Sequence, residues 1–279
     1  MKLQYWGTAA TEGVPAIFCL CENCKKARAL GGKNLRSRSQ ASIDDTLLID
    51  LNEDTYWHEI RYNKDLVNFR HLLITHTHPD HLQPEIFYNR VHGLCHTDGK
   101  ENILTVYGSP RVTDIVNKVI GNDVKGFEGR LATRTLAPFE PTDIAGYTVT
   151  ALPAQHAEWT GPYIYQISKG GKTMLYGHDS DVFGEEVFAY WRQNGVRFDY
   201  VSLDCTAGTT HITYHGHMSF ERNLQVREKM VNCGAADEKT VFCCNHFSHN
   251  HPACLYDVMK PVAQAHGFLV SYDGMSVEI

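Results

Sequence analysis

The sequence predicts an α/β (α+β) protein in which two β-sheets pack face to face and helices cover the outside. Short apolar runs typical of buried strands alternate with segments of helical periodicity along all 279 residues. The strand-like runs cluster in two halves of the chain, and helices follow in both halves. This pattern favours a layered domain over a pure β-sandwich. We therefore expect residues 1–279 to form a single domain.

The elements follow one another in a regular order. A hairpin with a Gly170-Gly171 turn is predicted at 163–177. The other strand-like runs lie at 2–6, 46–51, 69–76, 103–109, 146–154, 198–204, 239–246 and 268–279. Helical periodicity occurs at 110–121, 184–195, 219–234 and 253–267.

The composition fits a globular protein. Hydrophobic residues make up 43% of the chain and charged residues 21%, which excludes a disordered, collagen-like or coiled-coil protein. No run approaches the roughly 18 apolar residues of a membrane span, and the N-terminus lacks the apolar core of a signal peptide. We expect a cytoplasmic protein without a membrane partner, in which the nine cysteines are reduced or metal-bound. The net charge of −6 argues against a surface devoted to nucleic acid.

Four potential metal ligands lie within the motif HTHPDH at 76–81, directly after a strand-like run. Imidazole and carboxylate both suit zinc and related divalent ions. In an extended backbone His76 and His78 point the same way and can bind one ion. The following proline turns the chain, so that Asp80 and His81 can reach a second ion. The carboxyl end of a strand is also where α/β proteins place their sites.

The pattern His76-x-His78-x-Asp80-His81 resembles the signature of the metallo-β-lactamase fold hydrolases. The resemblance implies a four-layer αββα sandwich with a two-metal site at the edge of the sheets. It also implies three further ligands, each at the end of a strand. The chain offers three residues in such places, which are His156, Asp179 and His246.

The resemblance also divides the ligands between two divalent ions, zinc or manganese, about 3.5–4 Å apart. It assigns His76, His78 and His156 to one ion, Asp80, His81 and His246 to the other, and Asp179 as the bridging carboxylate. Asp181 and His178 compete with Asp179, which we prefer because it follows the strand directly and fits the family's Tyr-x-x-Asp pattern. His178 departs from that pattern, because the family often has a small residue or threonine there.

Three thiols at Cys19, Cys21 and Cys24 suggest a second metal site. Close cysteine spacing in a reduced compartment is typical of structural zinc, and a redox motif or chance spacing is the alternative. A closed zinc site takes four ligands. His249 is the best candidate for the fourth, and His251 is its rival.

The string GTAATEGVP at 7–15, the cysteine trio and the string NHFSH at 245–249 narrow the resemblance. Together they resemble the phosphoribosyl cyclic phosphodiesterases of phosphonate breakdown, which implies a structural zinc held by the three cysteines and His249. The motifs run from Gly7 to His249 and leave 82–145 unconstrained. The pyrroloquinoline-quinone biosynthesis protein B group carries a similar cysteine motif, so the trio does not fix the substrate.

Cleavage of a phosphodiester also needs a proton donor for the leaving alkoxide, and a histidine outside the metal shell suits that role. By the resemblance we favour His217, with His215 as the alternative, so that Asp80 and His217 are the catalytic candidates. The resemblance suggests that Asp50 orients a ligand histidine. Asp204 could do the same, and either aspartate could instead be a turn residue.

The sequence thus predicts a binuclear metal-dependent hydrolase that cleaves a small phosphodiester, such as a cyclic ribosyl or nucleotide phosphate, by a metal-bridging hydroxide. One alternative is a tRNA 3′-processing endoribonuclease, which the lack of a dense basic arm disfavours. Another is a non-catalytic binding or carrier protein like the quinone-biosynthesis group, which the intact ligand set disfavours. The sequence does not set the oligomeric state, for which a homodimer is only the common default. Tyr176, Trp159 and Tyr163 lie beside predicted ligands and could line a pocket, but we favour the interpretation that they are buried core aromatics.

Overall fold

The computed structural model describes residues 1–97 and 102–279 and contains two seven-stranded mixed sheets. In sheet order, the first sheet consists of β14 (Ser276–Glu278), β1 (Lys2–Gly7), β2 (Gln40–Ile43), β3 (Leu47–Ile49), β4 (His71–Leu73), β5 (Leu104–Gly108) and β6 (Leu131–Thr135). The second consists of β13 (Phe268–Val270), β12 (Val241–Asn245), β11 (Tyr200–Asp204), β10 (Lys172–Gly177), β9 (Tyr163–Lys169), β8 (Tyr147–Pro153) and β7 (Pro141–Ile144).

Seven α-helices connect these strands within the described residues. They are α1 (Glu22–Leu30), α2 (Thr55–Tyr62), α3 (Pro110–Asn122), α4 (Val124–Phe127), α5 (Glu185–Gln193), α6 (Phe220–Cys233) and α7 (Tyr256–Gln264). Short 3-10 turns lie at Gly32–Asn34, Leu66–Asn68, Pro84–Arg90, Glu158–Thr160 and Pro252–Cys254. None of the helices in the described part of the chain has the length and apolar character that crossing a membrane requires.

Three apolar layers hold the sheets and helices together, which confirms the predicted four-layer αββα sandwich. Alternation along β3 illustrates the cause, because Leu47 and Ile49 face the second sheet while Leu48 faces the helices. On the outer face of the second sheet, Val201 packs in one layer with Trp191 of α5. Each sheet is therefore buried on both faces.

The parallel strands of both sheets place their carboxyl ends where a functional site can form. In the first sheet β3, β4, β5 and β6 pair in parallel, and in the second β10, β11, β12 and β13 do so. Parallel pairing brings the carboxyl ends of neighbouring strands to a common edge.

Several elements differ from the sequence-based expectation. The run 268–279 forms two strands in different sheets, because the chain crosses between the sheets after β13. Three strands and three helices were not predicted, namely β2, β6, β7, α1, α2 and α4. The unpredicted strands are four or five residues long, and β6 and β7 carry partly exposed polar residues, so their pairing partners decide their structure.

Candidate metal centre

The ends of four strands bring the predicted ligands to one edge of the sandwich. His76 follows β4, His156 follows β8, Asp179 follows β10 and His246 follows β12. β8 runs in the same direction as β10, because two antiparallel pairings separate them. All four strands therefore deliver the residues that follow them to one place.

The backbone at this edge is held in an unusual conformation. Asp50, Asp179 and His246 all have positive φ angles, of 66°, 49° and 62°. A residue other than glycine in this region costs on the order of 1–3 kcal/mol, and such residues cluster at functional sites. The left-handed turn after each strand redirects the side chain toward the centre of the edge.

Three imidazoles form the first cluster. His78 Nδ1 lies 2.9 Å from His76 Nε2 and 3.1 Å from His156 Nε2. Ligand atoms bound to one ion at about 2.0–2.1 Å lie about 3 Å apart, so these nitrogens have the spacing of a shared coordination sphere. These are the three residues that the resemblance to the metallo-β-lactamase fold hydrolases assigned to the first ion.

The second cluster contains Asp80, His81 and His246, whose ligand atoms lie within 4.8 Å of one another. Asp179 lies between the clusters. Its Oδ2 is 2.8 Å from His81 Nε2 and 2.9 Å from His246 Nε2, while its Oδ1 is 3.8 Å from His156 Nε2. One carboxylate oxygen thus faces each cluster, as a bridging ligand requires.

Unsatisfied polar atoms show that these residues fit a metal ion. His81 Nε2, His246 Nε2 and Asp179 Oδ2 are buried and approach one another at 2.8–2.9 Å, but none of them makes a well-aligned hydrogen bond among the described residues. A buried polar atom without a partner is costly, and three such atoms facing one another form a donor set for a cation. The arrangement therefore suits a divalent ion better than a hydrogen-bonded core.

Asp50 and Thr75 support the histidines of the first strand end. His81 Nδ1 donates to Asp50 Oδ2 at 2.7 Å, which leaves its Nε2 lone pair free to bind a metal. Thr75 Oγ1 donates to Asp50 and lies 3.1 Å from His76 Nδ1. The hydroxyl can therefore accept from His76 Nδ1, which leaves the Nε2 of His76 free to bind a metal. Asp50 is fully buried in this role and is not a turn residue at the surface.

Asp204 and Thr206 repeat this arrangement in the second sheet. Thr206 Oγ1 donates to Asp204 Oδ2 and lies 2.9 Å from His246 Nδ1. Asp204 Oδ2 also accepts a hydrogen bond from His217 Nδ1 at 3.0 Å. Neither threonine was predicted from the sequence, although each is a hydroxyl residue within two positions of a predicted site residue.

The electrostatic character differs between the two clusters. Burial lowers the pKa of His76 well below its usual value and also lowers that of His78, which keeps these imidazoles neutral as metal binding requires. Burial opposes a charge on His81 and His246 as well, but the neighbouring carboxylates, first among them Asp179, more than compensate. They raise the pKa of His81 well above its usual value and that of His246 to about 10, so this cluster attracts positive charge.

His217 and His215 take different positions. His217 borders the cleft beside the ligands, and its ring centroid lies 4.9 Å from that of His156. Burial would lower the pKa of His217, but the neighbouring Asp204 raises it. The side chain of His215 is 89% exposed and pairs with Asp181, away from the metal ligands. The geometry places His217, and not His215, over the candidate centre.

The two rivals of Asp179 point elsewhere. Asp181 forms ion pairs with His215 and Arg222. His178 is buried, its Nε2 lies 2.7 Å from Ser202 Oγ, and its ring packs 4.0 Å from that of Tyr176. Asp179 is therefore the acidic residue of this segment that faces the ligands.

The cysteine trio meets His249 in a separate cluster. The Sγ atoms of Cys19, Cys21 and Cys24 lie 3.5, 3.6 and 3.5 Å from His249 Nδ1. A tetrahedral zinc with bonds of about 2.3 Å to sulfur and 2.0–2.1 Å to nitrogen places these atoms about 3.5 Å apart. The hydrogen bond to His249 lowers the pKa of Cys21 to about 6, which favours the thiolate that zinc binds.

A cleft of about 310 Å³ opens over the ligands and is lined by Asp80, Asp179, His217 and Glu12, among other residues. Tyr176 and Tyr163 are buried, as expected. The same expectation was wrong for Trp159, which is 66% exposed and lies edge-on to His78 at 5.3 Å. Trp159 sits on the short 3-10 turn after β8, and that turn projects beyond the core.

Comparison with models of known protein families assigns the chain to a superfamily. A family model described as the Beta-lactamase superfamily domain matches residues 45–236. The chain belongs to this superfamily, and its four-layer architecture is the metallo-β-lactamase fold that the sequence predicted. A comparison with curated protein sequences finds no significant match.

Solved structures show the same fold at low sequence identity. The crystal structure of a new diphosphatase from the PhnP family is 19% identical, with a TM-score of 0.75 over 100% of this chain and 97% of that one. Zn(2+)-bound PqqB from Methylobacterium extorquens is 18% identical, with a TM-score of 0.75 over 100% of both chains. The short form of human tRNase Z is 14% identical, with a TM-score of 0.64 over 100% of this chain and 99% of that one.

Proposed function

We propose that this protein is a metal-dependent phosphodiesterase that hydrolyses a small substrate in the cleft over His76, His81 and Asp179. The observation that carries the proposal is the His217–Asp204 pair, in which Asp204 is buried and the side chain of His217 is 25% exposed at the cleft. Both residues lie within 4.8 Å of Asp179 and His246, but neither is one of the six histidine and aspartate ligands that we assign to the two ions. A proton donor in this place serves a reaction in which an alkoxide leaves phosphorus.

The seven predicted ligands would hold two divalent ions, zinc or manganese. His76, His78 and His156 would hold one, Asp80, His81 and His246 the other, and Asp179 would contact both. When bound, the ions would supply a water of lowered pKa as the nucleophile and would offset charge on the phosphoryl oxygens.

The residues of the chain supply the remaining chemistry. The attacking water loses one proton to bulk solvent before its oxygen bonds to phosphorus. As that bond forms, the bond from phosphorus to the leaving oxygen breaks, and the leaving oxygen takes a proton from His217 Nε2. Asp204 stabilises the charged imidazole and fixes its Nδ1, 3.0 Å away, as the donor toward the carboxylate. Asp80 lines the cleft, and the neighbouring His81 holds the pKa of its carboxyl below the usual range against the effect of burial. The ionised carboxylate can accept a hydrogen bond from the attacking water.

We also propose that Cys19, Cys21, Cys24 and His249 hold one structural zinc. The near-equal distances from His249 Nδ1 to the three sulfurs support this assignment. His249 lies three residues after the ligand His246, so the zinc would tie the N-terminal loop to the edge of the catalytic centre. Metal analysis should then find three ions per chain.

The named activities of the structural neighbours fit this reaction class without deciding the substrate. By their names the diphosphatase acts on a diphosphate and tRNase Z acts on tRNA, whereas PqqB is named only as zinc-bound. The His217–Asp204 pair supports catalysis over a carrier role. The cleft of about 310 Å³ suits a phosphate with a small adjoining group.

The test of this proposal compares two leaving groups. Bis-p-nitrophenyl phosphate releases a stable phenolate, whereas 2′,3′-cyclic AMP releases an alkoxide that needs a proton. We expect His217→Asn to lower kcat for cyclic AMP by about 10²–10⁴-fold and for the nitrophenyl ester by much less. His215→Asn is the matched control and should leave both rates within a few-fold of the wild type.

Two results would overturn the proposal. One is equal loss with both esters, which would give His217 a structural role. The other is turnover of nitrocefin or precursor tRNA, but of neither ester, by metal-loaded protein.

His76→Ala should abolish turnover while circular dichroism shows that the fold persists.

A further inference from the structure

A groove of about 460 Å³ adjoins the catalytic cleft and has no role in the chemistry described above. It shares His156 with the cleft and runs along the turn at Glu158–Thr160 toward the N-terminus of α3. Trp159 forms part of the groove, and its ring centroid lies 5.3 Å from that of His78. A substrate group attached to a phosphate at the metal centre can therefore reach it.

Trp159 offers an aromatic surface to whatever occupies the groove. The chain has four tryptophans, of which Trp6 and Trp191 are fully buried in apolar layers. Trp159 is 66% exposed beside a catalytic cleft, although burial of an indole is favourable. An exposed indole in this place is suited to stack against a flat ring, because every nucleobase presents a π-face.

Ser109 supplies an unused polar atom at the floor of the groove. The residue is 2% exposed, and its hydroxyl has no hydrogen-bond partner within the described part of the chain. It occupies the N-cap position of the 13-residue helix α3, yet its side chain makes no capping hydrogen bond. A ligand with a hydrogen-bonding edge would satisfy this hydroxyl.

Arg111 adds a free cation beside Ser109. It lines the groove, is exposed, and forms no hydrogen bond or ion pair with any residue that the structure describes. Gly161 closes the turn against this pair, and a Cβ built on it would lie 2.4 Å from Ser109 Oγ and 3.0 Å from Arg111 Cβ. The close approach of Gly161 brings the aromatic turn and the polar helix end together.

We propose that this groove binds a purine or similar nucleobase on one arm of the phosphodiester, with Trp159 stacking on the ring and Arg111 and Ser109 contacting its polar edge. The assignment rests on the proposed phosphodiesterase function and narrows its substrates to nucleotide-derived esters. Arg111 and Ser109 both offer hydrogen-bond donors, which match the ring nitrogens and carbonyl groups of a base. Glu158, also in the groove, offers an acceptor for an exocyclic amine.

Three esters with the same leaving group test the base preference directly. They are methyl p-nitrophenyl phosphate and the p-nitrophenyl esters of ribose 5-phosphate and adenosine 5′-phosphate. We expect the adenosine ester to have a kcat/KM at least tenfold above that of the ribose ester, with most of the difference in KM. Trp159→Ala and Arg111→Gln should each remove most of this preference, measured within each variant as the ratio of kcat/KM for the adenosine ester to that for the ribose ester.

Matched controls exist for both substitutions. Trp57 is 53% exposed on α2, and Arg192 is exposed on α5, so Trp57→Ala and Arg192→Gln should keep the full preference. Equal kcat/KM for the ribose and adenosine esters, or a preference that survives Trp159→Ala, would overturn the base site while hydrolysis itself stands.

A binding measurement separates this proposal from the proposed function. AMP should quench the tryptophan fluorescence of the wild type and of Trp57→Phe, but should have little effect on Trp159→Phe. If no ester is hydrolysed, the proposed phosphodiesterase function fails, and the quenching still decides whether the groove binds a base. Absence of quenching in Trp57→Phe, in which Trp159 is the exposed indole, would overturn the base site independently of catalysis.

Discussion

Four of the five ligand histidines of the candidate centre are held through Nδ1 by a group outside the ligand clusters. The exception is His78, whose Nδ1 faces the other ligands. Asp50, Thr75 and Thr206 contact His81, His76 and His246, and the Gly216 carbonyl accepts from His156 Nδ1 at 2.8 Å. Fixing Nδ1 as the donor leaves Nε2 as the metal-binding atom before any ion arrives. At the level of single residues, the site is thus prepared by groups that do not themselves touch the metal.

Asp50→Asn should weaken metal binding about 10–100-fold, because the amide cannot stabilise the His81 Nδ1–H as the carboxylate does. Competition against a chromophoric chelator measures this affinity. Asp45→Asn is the control, since Asp45 is an exposed turn residue that also has a positive φ, of 48°. Equal affinities in the two variants would contradict the supporting role of Asp50.

The buried imidazole of His58 should make the free energy of unfolding depend on pH, and this effect does not involve the metal centre. Burial lowers its pKa to about 4, while Asp54 favours and Arg61 disfavours its charged form. In the unfolded chain the imidazole takes up this proton near the ordinary histidine pKa of 6.5, so stability is lost as the pH falls from there toward 4. Between pH 7 and pH 5 the wild type should lose about 2 kcal/mol more than His58→Gln in urea denaturation. Parallel losses in the two proteins would refute this assignment.

The elements that carry the site were those with the strongest sequence signals. The run before His76 and the runs before Asp179 and His246 are apolar and end in polar residues, so both the strands and their ends could be predicted. The surroundings of Trp159 could not be predicted, because exposure depends on how a turn sits against α3. Local sequence carries no signal for a contact between Gly161 and Ser109, 52 positions apart.

Gly161→Ala should disrupt the contact between the turn after β8 and the N-terminus of α3. Its φ of 65° disfavours a side chain, and a Cβ would lie 2.4 Å from Ser109 Oγ. Gly146 has a φ of 79° and open space around a Cβ, so Gly146→Ala isolates the backbone cost of about 1 kcal/mol. Thermal unfolding should show a clearly larger loss for Gly161→Ala, and equal losses would mean that the turn adapts freely.

Cys21→Ala should release one ion and destabilise the segment around α1 before it affects the catalytic ligands. Structural zinc contributes folding energy directly, and Cys21 is also the N-cap residue of α1, where its Sγ accepts from Cys24 N. Hydrogen exchange of α1 and metal analysis measure the effect. Cys95→Ala is the control, since Cys95 belongs to no candidate metal cluster among the described residues. Loss of turnover with unchanged exchange in α1 would show that the two sites are wrongly divided.

In the molecule as a whole, the candidate centre exists only when both sheets are in place. The first sheet supplies His76 at the end of β4, and the second supplies Asp179 and His246 at the ends of β10 and β12. The alternation of strand-like and helical runs predicted the fold class, and the family resemblance carried by the motifs predicted the convergence of these residues. The groove beside the centre was not predictable, because its walls come from segments whose sequences carry no motif.

Anomalous diffraction from crystals of zinc-loaded protein would locate the proposed ions directly. We expect one peak among His76, His78 and His156, a second among Asp80, His81 and His246, and a third at the cysteine cluster. Chelation should remove the first two before the third, which the thiolates hold most tightly. Crystals that show no anomalous density at Asp179, or ligand side chains turned away from it, would contradict the binuclear centre.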